Sequence, residues 1–178
     1  LVKQKIHQRA STIKLLHRWI PTNAHLSMQQ RHHDSLCHRC SLMDETANHI
    51  LICQEAQSRN ARTMILYEAL EALHQINTNA HILGVLETNL THTLKIENRN
   101  KYLITDPEPE IISNACRHQN IIGWDLLLRG YASKYWSSAQ KDMVGDQTPP
   151  TKTKWNHTFV KHMIDLHRNI WTDRNTFV

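Results

Sequence analysis

Three of the four cysteines and one histidine lie close together in the sequence and have the spacing of a metal site. The array reads Cys37-x2-Cys40-x8-His49-x3-Cys53. A Cys-x2-Cys pair can supply two thiolates from one tight turn, and two residues four apart share a face of a helix. The four side chains can therefore converge tetrahedrally on one ion. We expect one structural Zn²⁺, held by Cys37, Cys40, His49 and Cys53.

Other uses of these cysteines fit the spacing less well. Cys37 and Cys40 are too close for an easy disulfide, and Cys53 would need a partner as distant as Cys116. A thioredoxin-type redox pair is expected next to strand-rich sequence, and none precedes Cys37. Buried thiols with no common ligand remain the alternative to zinc.

The sequence around the array is similar to a known family. Lys14 to Leu26, which contains Ile20-Pro21-Thr22, leads into the Cys37 to Cys40 pair, and Asp44-Glu45-Thr46 precedes the segment from His49 to Cys53. This order resembles the zinc-binding domain downstream of the polymerase in non-LTR retrotransposon reverse transcriptases. The resemblance covers about residues 10–60. The second half, with Ile122-Gly123-Trp124 and residues 171–175, looks only generically like the helical tails of such elements.

The resemblance has consequences for metal, partners and location. It implies that Cys37, Cys40, His49 and Cys53 hold zinc, and that the parent protein handles RNA or DNA, namely its own transcript or a target site. It also implies an upstream polymerase domain as a partner, and a cytoplasmic ribonucleoprotein that also visits the nucleus. It implies nothing catalytic for this segment.

The composition predicts an all-α fold. The 178 residues include only four glycines and five prolines, strand-like alternation is hard to find, and helix-forming residues are plentiful. We therefore expect a small CCHC zinc-stabilised helical module followed by a helical bundle. Because the chain begins with Leu and helical periodicity continues to its last residues, we expect it to be a piece of a longer reading frame.

Periodicity and breakers predict four regions. These are basic helices plus the CCHC module at residues 1–58, a helical region at 59–143, a linker at 144–154 and a C-terminal helix at 155–178. Thr22 or Asn23 is expected to cap a helix, and Asp44 or Thr46 another, with Asp44 and Glu45 favourable near a helix start. The individual helices are predicted over about residues 2–19, 22–33, 59–76, 80–97, 110–117, 121–142 and 155–175.

Positive charge is concentrated beside the cysteine array. The net charge is +5, but residues 1–40 hold seven Lys or Arg against one acid, whereas the remaining residues hold fourteen against fifteen. Such a surface attracts phosphates, although a solvated helix face explains many charge runs. The predicted nucleic-acid contacts are Arg9, Lys14, Arg18, Arg31 and Arg39. No apolar run predicts a membrane span or a signal peptide, so we expect an intracellular protein and no membrane partner.

No catalytic motif survives inspection. His32-His33-Asp34 imitates part of a nuclease site, but adjacent histidines are expected by chance among fourteen. Prolines separate the acids of residues 106–110, which predicts a solvated loop with ordinary carboxylates. Cys116, and the aromatic residues between 124 and 136, are expected in the core. We therefore expect no enzyme activity in this segment.

Three functional classes follow. The favoured class is a non-catalytic, zinc-binding, nucleic-acid-binding appendage of a retrotransposon-type reverse transcriptase. The alternative is a helical protein-interaction domain with a structural zinc, engaging its partner through the helix from Trp155 to Trp171. An enzyme with a catalytic zinc is third, because three cysteines and one histidine close the coordination sphere and leave no place for water.

Overall fold

The structure, a computed structural model, describes residues 10, 12–31, 34–145 and 152–176. The fold is all-α, as predicted. After a helical stretch at residues 12–16, the helices are α1 (Asn23–Met28), α2 (Ala47–Ile52), α3 (Ala56–Gln75), α4 (Ala80–Leu94), α5 (Glu110–Ile122), α6 (Trp124–Leu127), α7 (Tyr135–Val144) and α8 (Lys152–Asn175). No helix within the described ranges is both long and apolar enough to cross a membrane.

The chain folds as two units. The first unit consists of residues 1–62 and 167–178, and the second of residues 63–166. The predicted division at residue 58 and the division at residue 62 both fall within α3. Part of the predicted linker at 144–154 is helical, because α7 continues to Val144 and α8 begins at Lys152; residues 146–151 lie outside the described chain.

Leucines at helical spacing form part of the core of the second unit. Leu66, Leu70 and Leu73 line one side of α3 and are fully buried. On α8, the rings of Trp155 and Phe159 stack with their centroids 5.0 Å apart. Other buried core residues of this unit are Ile82, Leu83, Leu86, Leu90, Leu94, Ile112, Leu127, Leu128, Trp136, Met163 and Leu166. Apolar residues at helical spacing therefore line this core.

The prediction of one continuous helix over residues 121–142 is wrong. The chain leaves helical geometry at Gly123, where φ is 105°, and again after α6, where Gly130 has φ of 88°. The buried side chain of Gln119 accepts from the backbone N–H of Ser133 and donates to the carbonyls of Gly123 and Tyr131. A side chain from α5 thus supplies hydrogen bonds that the helical ladder would otherwise have made.

In the first unit, the two N-terminal helical stretches end earlier than predicted. The first ends at residue 16 rather than 19, and α1 ends at Met28 rather than near residue 33. Each ends with a residue of left-handed backbone, Arg18 (φ 57°) and Gln30 (φ 56°). After the first, the N–H of Trp19 donates to the carbonyl of Lys14 at 2.7 Å, which is the closing hydrogen bond of a Schellman motif.

Candidate metal centre

A tight turn presents the first two cysteines of the array. Leu36 and Asp44 form an isolated antiparallel bridge at its base. Inside it, the N–H of Cys37 donates to the carbonyl of Met43 and the N–H of Ser41 donates to the carbonyl of Cys37, both at 2.8 Å. Ser41 has left-handed backbone with φ of 52°. The backbone itself therefore holds the turn from Cys37 to Cys40 closed.

Helix α2 supplies the other half of the array. The side chain of Thr46 accepts from the N–H of His49 at 3.0 Å and caps the helix, which decides between the two predicted caps in favour of Thr46 over Asp44. His49 lies in the first turn of α2, and Cys53 is the residue at its C-terminal end. The helix therefore fixes the spacing between these two side chains.

The four predicted ligand residues lie together in one cluster. Their ligand atoms are all within 4.8 Å of one another. The Sγ atoms of Cys37 and Cys53 are 4.0 Å apart, and Sγ of Cys40 is 3.3 Å from Nε2 of His49. Every cysteine is a free thiol, and three of the four residues are buried while Cys40 is half-buried. The cluster could hold a metal ion.

The surroundings affect the protonation of these groups in different directions. Burial raises the pKa of Cys37 to about 11, although the N–H groups of Cys40 and Arg39 lower it. Burial also opposes ionisation of Cys40, but hydrogen bonds from the N–H groups of Leu42 and Met43, together with those from the thiols of Cys37 and Cys53, outweigh it, so the pKa of Cys40 is lowered. Burial lowers the pKa of His49, which leaves its ring neutral and able to offer a lone pair. Because the pKa of Cys37 is raised, a nearby cation is needed for its thiol to ionise at neutral pH.

A buried ion pair involves Glu45, which lies in the loop between Cys40 and His49. Glu45 is 1 % exposed, and its carboxylate accepts from Nε and Nη2 of Arg174. It also accepts from the backbone N–H of Asn23 at 3.1 Å, at the start of α1. The hydrogen bonds of the Glu45 carboxylate are therefore made to Arg174 and to the start of α1, and not to the start of α2. The pairing was missed because its partner lies 129 residues away.

Two more arginines are buried near the cluster. Arg39 donates to Oγ of Ser58 at 2.9 Å and to Oδ2 of Asp173 at 2.8 Å. Arg62 donates to the carbonyl of Cys53, and burial lowers the pKa of Arg62 to about 10 while the neighbouring Cys53 raises it. Nε and Nη1 of Arg62 have no hydrogen-bond partner in the described part of the chain. A buried cation thus contacts the backbone of Cys53, one of the four candidate ligand residues.

The predicted nucleic-acid contacts do not all share one environment. Lys14, Arg18 and Arg31 are exposed on the first unit, and Arg9 lies outside the described residues. The assignment of Arg39 to this surface is corrected, because its side chain is 5 % exposed and paired with Asp173. Arg39 is therefore a structural cation.

The remaining candidates lie apart from the cluster. His32 and His33 lie outside the described residues. Cys116 is half-buried in the second unit, and burial, followed by Glu108, raises the pKa of its thiol. Trp136 is fully buried in the core, as expected, although Tyr131 is exposed.

No protein-family model matches the chain, and no curated protein or solved structure is significantly similar to it. The class of protein is therefore defined by what the chain itself contains. It is an all-α protein with a Cys₃His cluster that could hold a metal ion.

Proposed function

We propose that the chain is a zinc-stabilised, nucleic-acid-binding segment without catalytic activity. One observation carries the proposal: the unit with the Cys₃His cluster also carries the positive charge of the chain. Residues 1–62 and 167–178 contain eleven Lys or Arg against five Asp or Glu. The second unit contains ten against eleven, so its net charge is close to zero.

The donor set supports zinc as the metal. Three thiolates and one imidazole are a common set for structural Zn²⁺, and soft sulfur ligands disfavour magnesium and calcium. A tetrahedron with Zn–S bonds of about 2.3 Å separates its sulfurs by about 3.8 Å. The separation of 4.0 Å between Cys37 and Cys53 is close to that value. When bound, zinc supplies a fixed link between the cysteine turn and α2, and its four protein ligands leave no position for water.

Internal pairing accounts for several cations of the first unit. Arg39 is paired with Asp173, and Arg174 with Glu45. A zinc dication with three thiolates has a net charge of −1. The positive charge of buried Arg62, which donates to the carbonyl of Cys53, offsets this charge locally. The remaining positive charge lies mainly in residues 1–33, a stretch of sequence that contains no acid and includes Lys14, Arg18 and Arg31.

Exposed Lys and Arg side chains on an acid-free stretch of sequence are typical of surfaces that contact phosphates. They release condensed counterions from the nucleic acid, so binding weakens as salt increases. Arg9 belongs to the same acid-free stretch of sequence. We propose that Arg9, Lys14, Arg18 and Arg31 contact the phosphate backbone of RNA or DNA.

The charge proposal is tested by fluorescence anisotropy at two or more salt concentrations. Replacing Lys14, Arg18 and Arg31 together by Gln should weaken binding and lower the salt slope by about 0.9 per lost contact on duplex DNA. The matched control replaces Arg117, Lys134 and Lys141, three exposed cations of the second unit. Equal losses from both triple variants, or no binding by the unmodified chain at low salt, would reject the proposal.

The parent protein is proposed to be a retrotransposon-type reverse transcriptase, whose own transcript or target site would be the nucleic acid. The support is the order of motifs from Lys14 to Cys53, with the turn at Pro21 between the first helix and the cysteine array. The transcript that encodes the chain provides the test. A polymerase palm with paired aspartates in the same upstream reading frame is expected, and an unrelated upstream domain would reject this parentage.

A further inference from the structure

Trp19 differs from the other tryptophans of the chain in its exposure. Its side chain is 63 % exposed, whereas Trp136, Trp155 and Trp171 are at most 8 % exposed and Trp124 is half-buried. An aromatic ring of this size normally contributes strongly to a core because of the area that it buries. The exposed indole of Trp19 therefore forms a large apolar face on the surface of the first unit.

The backbone holds Trp19 firmly. It is the closing residue of the Schellman motif, because its N–H donates to the carbonyl of Lys14 at 2.7 Å. The ring of His17 lies beside the indole, with centroids 5.3 Å apart and an angle of 32° between the planes. One ring neighbour and a fixed backbone orient the indole, while most of its surface remains open to solvent. A pre-oriented aromatic ring loses little conformational entropy when a ligand stacks on it.

Cations lie next to Trp19 in the same helix end. Arg18 immediately precedes it and Lys14 is one turn away, and both side chains are exposed. No acid occurs among residues 1–33. This helix end therefore places two cations next to a flat, apolar ring, a combination that suits an anionic ligand that also has a flat, apolar face. Nucleic acid combines these two properties, and in a single strand the base faces are available because they are not enclosed in a duplex stack.

We infer that Trp19 is a stacking platform for an unpaired base, so that the first unit prefers single-stranded over duplex nucleic acid. This inference rests on the proposed function and specifies the ligand at that surface. Trp19 stacks on the base, and Lys14 and Arg18 contact the flanking phosphates. Stacking of this kind tolerates any base, so little sequence preference is expected.

The test measures Trp19→Ala in the full chain against a single strand of about 16 nucleotides and a duplex of the same length, a length at the upper end of known site sizes. Single-strand affinity should fall by about 5- to 150-fold, the range that base–aromatic stacks contribute. Duplex affinity should stay within about twofold, because internal bases of a duplex offer no free face. Trp19→Phe should retain a large part of the single-strand affinity.

Met28→Ala is the matched control, since Met28 is an apolar side chain of the same unit with 77 % exposure but has no ring. It should change neither affinity. Equal losses from Met28→Ala and Trp19→Ala would indicate general apolar contact and overturn the inference. Unchanged single-strand binding by Trp19→Ala would overturn it as well, and would favour a protein partner for the surface around Trp19.

A second measurement covers the case in which Trp19→Ala does not fold, as judged by its bound metal. Single-strand binding should quench tryptophan fluorescence in the unmodified chain, and Trp19→Phe should remove that quenching because the other tryptophans are more buried. Equal quenching in both proteins would overturn the inference. These outcomes leave the proposed function intact, whereas failure of the unmodified chain to bind any nucleic acid would reject the proposed function itself.

Discussion

The carboxylate of Glu45 is paired with the guanidinium of Arg174, although 129 residues separate them in the sequence. Glu45 lies between Cys40 and His49, inside the cysteine–histidine array, and also accepts from the N–H of Asn23. Arg174 belongs to the last turn of α8. The end of the C-terminal helix therefore supports the loop that carries the candidate metal ligands.

Breaking this pair from one side should destabilise the first unit. Arg174→Met leaves the carboxylate of Glu45 buried without its cation, and we expect the free energy of unfolding to fall by about 3–5 kcal/mol. The double variant Glu45→Gln with Arg174→Met should recover part of the loss, because no charge then stays unpaired. Urea denaturation measures both. Lys101→Gln is the control, since the ion pair of Lys101 with Glu71 is exposed and should contribute little to the free energy of unfolding. The single variant Glu45→Gln completes the comparison. If the double variant lost as much unfolding free energy as Arg174→Met and Glu45→Gln lose together, a direct pairing would be contradicted.

Metal removal should loosen both segments that meet in the first unit. Chelation removes the link between the cysteine turn and α2. The end of α8 should lose stability as well, because Asp173 is paired with Arg39 and Arg174 is paired with Glu45. Hydrogen exchange should increase in residues 34–53 and in residues 169–176, while α4 in the second unit keeps its protection. Unchanged exchange at the end of α8, or earlier exchange in α4, would contradict this coupling.

Arg62 should strengthen metal binding through its charge. Arg62 is 1 % exposed, its guanidinium donates to the backbone carbonyl of Cys53, and its charge interacts with the Cys53 side chain, a candidate metal ligand. Arg62→Met should lower metal affinity by about 10- to 100-fold, the usual range for groups that support metal ligands, as measured by competition with a chromogenic chelator. Arg62→Lys should retain more affinity because it keeps the charge. The neighbouring Arg59 is exposed, so Arg59→Gln should have little effect. A loss of unfolding free energy in Arg62→Met without a loss of metal affinity would limit Arg62 to a packing role.

Local features of the sequence predicted what depends on neighbours along the chain. The Cys-x2-Cys turn and the i, i+4 spacing of His49 and Cys53 are properties of short segments, and the structure brings their side chains together. The Thr22 and Thr46 caps and the buried leucines of α3 likewise follow from residues within one or two helical turns. Such signals need no knowledge of the tertiary fold.

Features that depend on distant partners were not predictable in this way. Nothing near Arg39 or Glu45 indicates that Asp173 and Arg174 will neutralise them. The interruption of the helix after Gly123 likewise depends on a partner outside the segment. The side chain of Gln119, on α5, accepts a hydrogen bond from the backbone N–H of Ser133 in the turn. In each case a buried polar side chain decided the local structure, and its partner was determined by packing.

Because of Tyr67, the stability of the second unit should depend on pH in the alkaline range. Its hydroxyl donates to Oε1 of Glu87 at 2.5 Å and accepts from the backbone N–H of Arg99 at 2.7 Å. Burial, and then the hydrogen bond to Glu87, raises the pKa of Tyr67 from 10.0 to about 12. Below about pH 10 the phenol is protonated in both the folded and unfolded states, so this contribution to stability is fully present.

Between about pH 10 and 12 the unfolded chain loses the phenolic proton while the folded chain keeps it. The free energy of unfolding should therefore fall as pH rises through this window, by at most about 1.4 kcal/mol per pH unit from this group. Tyr67→Phe removes the titrating group, so the difference between the two proteins, measured by urea denaturation from about pH 8 to 11.5, should be constant at first and then shrink. Tyr131→Phe is the control, because Tyr131 is 55 % exposed, and its curve should run parallel to that of the unmodified chain. Parallel curves for Tyr67→Phe as well would show that the hydroxyl of Tyr67 does not couple folding to pH.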